Sequence, residues 1–481
     1  MCYEILYRIL TVITPLITTP IISRALGAEQ IGVYSATQAY VNYFMLFSML
    51  GIENYGNRTI AAVRTDKIAV QRFFWNIYAI QFVSVLTTIG IYITSFLWIS
   101  DARKIVSIIQ GLWLLSCLLD INWFFFGCEQ FKITVARNII VKFVSVLAIV
   151  ILIRNPEDIY IYTAIMSGSV VISQLLLWKS LFNEISFEMP YWDNVKQHIA
   201  PIIHLFIPVI GLSVFHIMDK TMLDLLSNEE NVGYYYSADK IINIPLGVIS
   251  AVSTVMLPRI SFMFKNNSVE DVKKVIEKSA EIVAFLTAAI GFGIATIAKD
   301  FVPLFFGKGF EACIPLIYWF VPVLYAKAWG EMIRSQYLIP LKKDRLYINA
   351  VCLGALINII TNYFLITKYA ALGAVLGTLI AETTVMSVEI FGVLHEINFV
   401  NIISQQTVYF VFAIIMLVVT KMVALMINLS SIYKIIVCVA IGGFLYLTQC
   451  IIYWRIHNKS VFDLLIENSL HNKNSINTIN K

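Results

Sequence analysis

The sequence predicts an all-α polytopic membrane protein with about 14 transmembrane helices, two parallel-repeat six-helix lobes plus two C-terminal helices. Three observations predict it. The 481 residues are 59% hydrophobic and only 14% charged, whereas a soluble domain averages roughly half apolar and a quarter charged. At ~20 apolar residues per span, this content fills about fourteen spans and leaves little for any extramembrane domain. Finally, one short motif occurs twice, far apart, in equivalent positions between apolar runs.

Apolar runs place spans near 5–23, 33–52, 76–99, 105–126, 137–153, 159–181, 201–226, 233–257, 279–298, 312–333, 347–367, 370–394, 405–428 and 432–454. The run Ile5 to Ile22 leads into a motif rather than a small-residue cleavage site, so it reads as the first span and not as a signal peptide. Apolar residues surround each helix, as expected where one face meets lipid and another meets neighbouring helices. The predicted organisation is an N-terminal lobe at 1–182, a C-terminal lobe at 201–398, two additional helices at 399–455 and a polar tail at 456–481. That tail is Asn-rich and carries no motif.

Lys and Arg in the connections set the orientation, because cytoplasmic loops collect them. With the N-terminus inside, basic residues of the inside connections, such as Arg58, Arg64, Lys67 and Arg72 or Lys273, Lys274 and Lys278, clearly outnumber those outside. Both termini are therefore expected in the cytoplasm.

The repeat is the most informative feature. Glu29-Gln30-Ile31-Gly32-Val33-Tyr34 recurs 201 residues later as Glu230-Asn231-Val232-Gly233-Tyr234-Tyr235. The same offset pairs Asn42 with Asn243 and Arg58 with Arg259. Six spans separate the copies, so both face the same way, as in transporter folds whose lobes are related by an axis along the membrane normal.

Several function classes are excluded or disfavoured. The formal charge of +5 is too small and too scattered for a nucleic-acid surface. The seven cysteines show no CxxC or His spacing, so neither a metal nor a disulfide framework is expected. Gly307-Lys308-Gly309 lacks the spacing and hydroxyl of a phosphate-binding loop, His395-Glu396 has no second His, and there is no GxSxG. No catalytic residue and no cofactor is predicted, and the external connections are too short to build the domain a membrane glycosyltransferase needs.

Intramembrane charge is what remains to be explained. A Lys, Arg or Asp at a helix centre costs about 2.5–3.5 kcal/mol on insertion scales and usually faces a partner or a wet cavity. Span seven carries Asp219, Lys220 and Asp224, and span eight carries Asp239 and Lys240. Span ten carries Lys327, Glu331 and Arg334 at i, i+4, i+7, which puts them on one helical face. Arg8 stands in span one, four residues after Glu4. Each could serve interhelical ion pairing or an anionic ligand, since Arg suits bidentate phosphate contact and Lys acts as a point charge. Prolines at 15, 20, 201, 208, 315 and 322 interrupt spans one, seven and ten, as either static kinks or bending points. Gly373 and Gly377 with Ala370 and Ala374 form a small-residue stripe that suits close helix packing.

Pro20-Ile21-Ile22-Ser23-Arg24-Ala25-Leu26-Gly27-Ala28-Glu29-Gln30-Ile31-Gly32, Met218-Asp219-Lys220-Thr221-Met222-Leu223, Val232 through Ile241 and Leu257-Pro258-Arg259-Ile260 resemble the Wzx-type lipid-linked oligosaccharide flippases. These are relatives of the multidrug MATE exporters and of the lipid II flippase in the MOP superfamily. The resemblance covers residues 1 to about 400. It implies a transporter of undecaprenyl-pyrophosphate-linked oligosaccharide repeat units across the bacterial plasma membrane, for capsule, O-antigen or exopolysaccharide assembly. It also implies alternating access, contact with membrane lipids and a polysaccharide polymerase as a partner. The substrate-binding positions carried by matched motifs are Arg24, Asp219, Lys220, Asp239, Lys240 and Arg259. Arg8, Lys327, Glu331 and Arg334 join them on membrane depth alone. The alternative is a MATE-like cation-coupled multidrug exporter.

Overall fold

A computed structural model describes residues 2–96, 101–266, 268–397, 399–427 and 429–457, with side chains not described at 2–12, 101–102, 208, 212, 214–216 and 269. Arg8, one of the expected cations, thus has its side chain outside the described residues. The protein is all-α, with no strand among the described residues.

The helices run in order as α1 (Cys2–Met49), α2 (Ile52–Val63), α3 (Lys67–Ser95), α4 (Asp101–Gln110), α5 (Leu112–Leu119), α6 (Asn122–Gly127), α7 (Phe131–Leu152), α8 (Ile159–Glu184) and α9 (Trp192–Leu226). They continue as α10 (Glu229–Asn266), α11 (Val269–Phe306), α12 (Cys313–Ile333), a π-helical turn (Arg334–Leu338), α13 (Asp344–Gly392), α14 (Phe399–Gln405), α15 (Thr407–Met426) and α16 (Ser431–Ile456). Among the described residues ten helical segments are long and apolar enough to cross a membrane. This is a multi-pass membrane protein.

Two helices each hold two predicted spans. At 1.5 Å per residue, the 49 residues of α13 reach about twice the bilayer thickness, and the backbone leaves helical geometry at Ala370 (φ 48°). In α1 the same happens at Gly27 (φ 73°), a conformation open to glycine. The predicted span 105–126 is instead three short helices, α4 to α6, interrupted at Gly111 and at Asp120-Ile121, where the backbone turns extended.

The chain forms two compact units: Met1–Tyr236 with Phe305–Phe310 and Ile359–Ala374, and Ser237–Leu304 with Glu311–Asn358 and Val375–Lys481. In the first, α2 buries Ile52, Gly56 and Ile60 at helical spacing. A Cβ at Gly56 would overlap the Trp123 ring, so glycine there lets α6 close on α2. Phe74, Trp75, Phe124, Phe125 and Leu181 complete that core. By contrast, α7 is inside-out: it buries Thr134, Arg137 and Ile149 and exposes Ile140, Phe143, Val144 and Ile151. This is the pattern of a helix with its apolar face in lipid.

In the second unit the last two long helices are bonded to α11. Tyr446 Oη donates to the Phe285 carbonyl at 3.0 Å, Tyr409 Oη donates to the buried Glu281 carboxylate, and Trp454 Nε1 donates to Tyr409 Oη at 2.7 Å. Polar groups inside a bilayer find partners only in protein, so these bonds fix where α15 and α16 dock.

Candidate functional site

The two copies of the sequence repeat meet in the first unit. A Cβ at Gly32 would overlap the carbonyl oxygen of Glu229, and a Cβ at Gly233 would overlap the carbonyl oxygen of Ala28. Ala28 and Glu229 are themselves related by the 201-residue offset, so each glycine rests on the repeat-equivalent carbonyl of the other copy. Only glycine allows backbones to approach this closely.

Beside this crossing lies a polar and aromatic cluster. Lys220 is half-buried, with Nζ 4.9 Å from the centre of the Tyr236 ring, a cation–π distance. Its neighbour Asp219 is 7% exposed and accepts hydrogen bonds from Tyr235 Oη at 2.8 Å and Asn362 Nδ2 at 2.7 Å. Adjacent residues on a helix point about 100° apart, which explains why Asp219 and Lys220 serve different neighbours. Tyr34 is buried against Tyr162, with ring centroids 4.8 Å apart, and against the edge of Trp113. Arg103 bridges Asp224 and Glu229, at 2.8 Å and 2.5 Å.

Arg24 is exposed beside the turn at Gly307, where a Cβ would sit 2.9 Å from the Arg24 Cγ. Asp239, Lys240 and Arg259 are half-buried on α10.

The second unit holds Asp239, Lys240 and Arg259 together with the remaining expected residues, and there Lys327 and Arg334 face carboxylates. Lys327 Nζ is 4.0 Å from Glu382 Oε1, and Arg334 Nη1 is 3.2 Å from Glu389 Oε1. Glu331 accepts a hydrogen bond from Ser250 Oγ. The Tyr347 ring lies 5.6 Å from the Arg334 guanidinium carbon.

Sequence reasoning missed Glu382, Glu389, Asn362 and Tyr235. For the glutamates a signal existed: they are spaced i, i+7 in an apolar helix, matching the i, i+7 spacing of Lys327 and Arg334. Arg137, the first residue of the predicted span 137–153, is another buried polar group that sequence reasoning did not single out. That residue is 7% exposed, and its guanidinium donates to the amide oxygens of Asn122, Asn138 and Gln174 at 2.7–3.3 Å.

Residues 1–264 match the family described as polysaccharide biosynthesis protein. The chain belongs to that family. A protein of Escherichia coli (strain K12) named as a candidate O-antigen transporter is 23% identical over 378 residues, covering 78% of this chain and 91% of that one. The corresponding candidate O-antigen transporter of Shigella dysenteriae is 20% identical over 77% of this chain and 93% of its own length. Among solved structures, the lipid II flippase MurJ in an inward closed conformation superposes with a TM-score of 0.72 at 16% identity, over 95% of this chain and 100% of that one. An inward-facing multidrug resistance MATE transporter of the MOP superfamily gives 0.62 at 14% identity, over 79% and 93%. This member of the polysaccharide biosynthesis family therefore has the fold of MOP-superfamily transporters.

Proposed function

We propose that this protein is a flippase that carries undecaprenyl-pyrophosphate-linked oligosaccharide units across a bacterial plasma membrane by alternating access, both termini lying in the cytoplasm. The glycan would feed assembly of an O-antigen or related surface polysaccharide, where a polymerase is the natural next partner. The observation that carries this reading is the Lys220–Tyr236 pair, set within the segment that matches the family. An intramembrane ammonium suits a phosphate oxygen, and the half-buried Tyr236 ring beside it suits the apolar face of a sugar ring. Arg24 is the second cation assigned to the headgroup in this unit.

The test is movement of a defined undecaprenyl-pyrophosphate oligosaccharide in vesicles reconstituted with the full chain. Lys220→Ala is expected to slow translocation by about 10-fold or more, the equivalent of one charge-assisted contact, while inserting normally. Lys220→Arg is expected to recover part of the rate. Unchanged flux in Lys220→Ala removes the headgroup assignment, and transport of cationic drugs in place of the glycolipid removes the flippase reading.

A further inference from the structure

The first unit has a cavity that shares no residue with the Lys220 cluster. It measures about 340 Å³, at the lower end of the range for small-molecule sites. Three membrane helices end around it: α3 begins at Lys67, α7 begins just after Gln130 and α8 finishes at Glu184. Its lining is chemically divided. The turn between α2 and α3 contributes the donors Arg64, Thr65 and Lys67, while the end of α8 contributes the acceptor Glu184. Buried Val70 and Phe124 supply an apolar floor.

The charges around this cavity balance. Arg64 is paired with Glu129, and Gln130 Nε2 donates to Glu184 Oε1 at 3.1 Å. Lys67 is exposed and forms no ion pair among the described residues. Its neighbour Asp66 instead caps α3, accepting from the Ile68 and Ala69 amides at 3.0 and 3.2 Å. Two cations thus stand with two carboxylates, Glu129 and Glu184. A simple anion would leave this set negative and a simple cation would leave it positive, whereas a ligand carrying both signs keeps it neutral. The bilayer is also at hand. Ile68, Phe131 and Phe182, each one or two residues from a lining group, are exposed, as apolar residues are where they meet acyl chains.

We propose that this cavity binds the phosphoethanolamine headgroup of a phospholipid in the adjoining leaflet. The phosphate oxygens take the Arg64 guanidinium, the Thr65 hydroxyl and the Lys67 ammonium. The lipid ammonium donates to Glu184 Oε2, and the two-carbon link between the charges lies on Phe124 and Val70. The acyl chains then follow Phe131 and Phe182 into the bilayer. A soluble phosphoethanolamine compound carries the same headgroup but leaves those apolar residues uncovered. Phosphatidylglycerol lacks the ammonium, and the quaternary nitrogen of phosphatidylcholine has no N–H to give Glu184. The site is independent of what the protein transports.

The experiment is native mass spectrometry of the purified, delipidated full chain, which counts bound lipids. The wild type should hold one phosphatidylethanolamine about 10-fold more tightly than phosphatidylcholine or phosphatidylglycerol with the same acyl chains, the equivalent of one charge-assisted contact. In Glu184→Gln, which keeps an acceptor for Gln130, the advantage over phosphatidylcholine should vanish. In Glu184→Lys the order should turn in favour of phosphatidylglycerol. Lys67→Gln should weaken all three lipids severalfold. Both side chains are exposed, so the variants should keep the wild-type melting temperature without lipid.

Equal retention of the three lipids by the wild type overturns the proposal, as does a preference for phosphatidylethanolamine that survives Glu184→Gln or Glu184→Lys. Retention unaffected by Lys67→Gln removes the phosphate contact and overturns it too. Glycerophosphoethanolamine, the same headgroup without acyl chains, should compete only at far higher concentration. Competition at equal concentration would make the ligand a soluble compound and overturn the assignment to lipid.

Discussion

Each unit contains a membrane helix interrupted in mid-run, at Asp120-Ile121 in the first and at the π turn Arg334–Leu338 in the second, and the two interruptions are handled in opposite ways. In the first unit the break after α5 at Asp120-Ile121 frees backbone carbonyls, and Gln81 satisfies them. Its Nε2 donates to the carbonyls of Cys117 at 2.7 Å and Asp120 at 2.8 Å, and its Oε1 accepts from Trp123 Nε1 at 3.0 Å. Trp178 Nε1 caps the Leu119 carbonyl at 3.0 Å. Asp120 Oδ1 in turn accepts from the Asn122 backbone N–H at 2.9 Å and from Asn122 Nδ2 at 2.8 Å, so the break is repaired and Gln81 is left saturated.

In the second unit the π turn after α12 is surrounded by charge, and acceptors are left over. Gln336 within the turn donates to Ser279 Oγ at 2.7 Å, but its Oε1 has no partner, and neither does Glu389 Oε2. Buried polar atoms are nearly always satisfied. A fully satisfied irregularity is a structural solution, whereas one with spare acceptors has kept a capacity to bind.

Removing the charge at the second irregularity should have the largest effect. Arg334→Ala leaves the fully buried Glu389 without its cation, and losing one partner of a buried pair costs about 3–5 kcal/mol. The double variant Arg334→Ala/Glu389→Gln should recover more than half of this loss, since no uncompensated charge remains. Thermal unfolding of the purified proteins in one detergent measures both. Equal stability of the single and double variants would break the contrast drawn between the units.

The next effect compares the two glutamines directly. Gln81→Leu exposes two carbonyls and the Trp123 indole N–H to an apolar surrounding, and should cost about 2–3 kcal/mol. Gln336→Leu loses one bond to Ser279 but also removes an acceptor that had no partner, so it should cost less than about 1 kcal/mol. A reversed order in the same unfolding assay would show that the spare acceptor at Gln336 is satisfied by solvent and that the π turn is as complete as the α5 break.

Composition and run length made the fold class and most spans legible, because ~20 apolar residues have few alternatives to a transmembrane helix. The repeat was legible too, and the contact of Gly32 and Gly233 with each other's equivalent carbonyls gives it a physical meaning. The interruption of the fourth span was not, since Asp120 and Asn122 sit in a run of Leu, Ile, Trp and Phe that reads as one continuous helix. Only the tertiary partner, Gln81 on another helix, makes the break affordable. Charged residues could be located from sequence, but not all of their partners: Asp219 accepts from a phenol and an amide, groups that a search for opposite charge passes over.

The smallest effect concerns the water-facing exit of the π turn. Glu396, 48% exposed, accepts a hydrogen bond from Tyr337 Oη at 2.6 Å and is paired with Lys343. The Lys343 contact first, and the Tyr337 hydroxyl second, hold its carboxyl below the ordinary glutamate range. A carboxyl with a lowered folded-state pKa adds stability above its unfolded value, about 4.3, and loses that contribution as the pH falls through the folded value. Solvent screening limits the gain at a half-exposed site, so Glu396→Gln should cost less than about 1 kcal/mol at neutral pH. The wild type and Glu396→Gln should converge in melting temperature as the pH is lowered below about 4. A gap that persists in acid would mean that Glu396 secures the turn through its bond to Tyr337 rather than through its charge, and the π turn would then be pinned at its exit as firmly as Gln81 pins the break after α5.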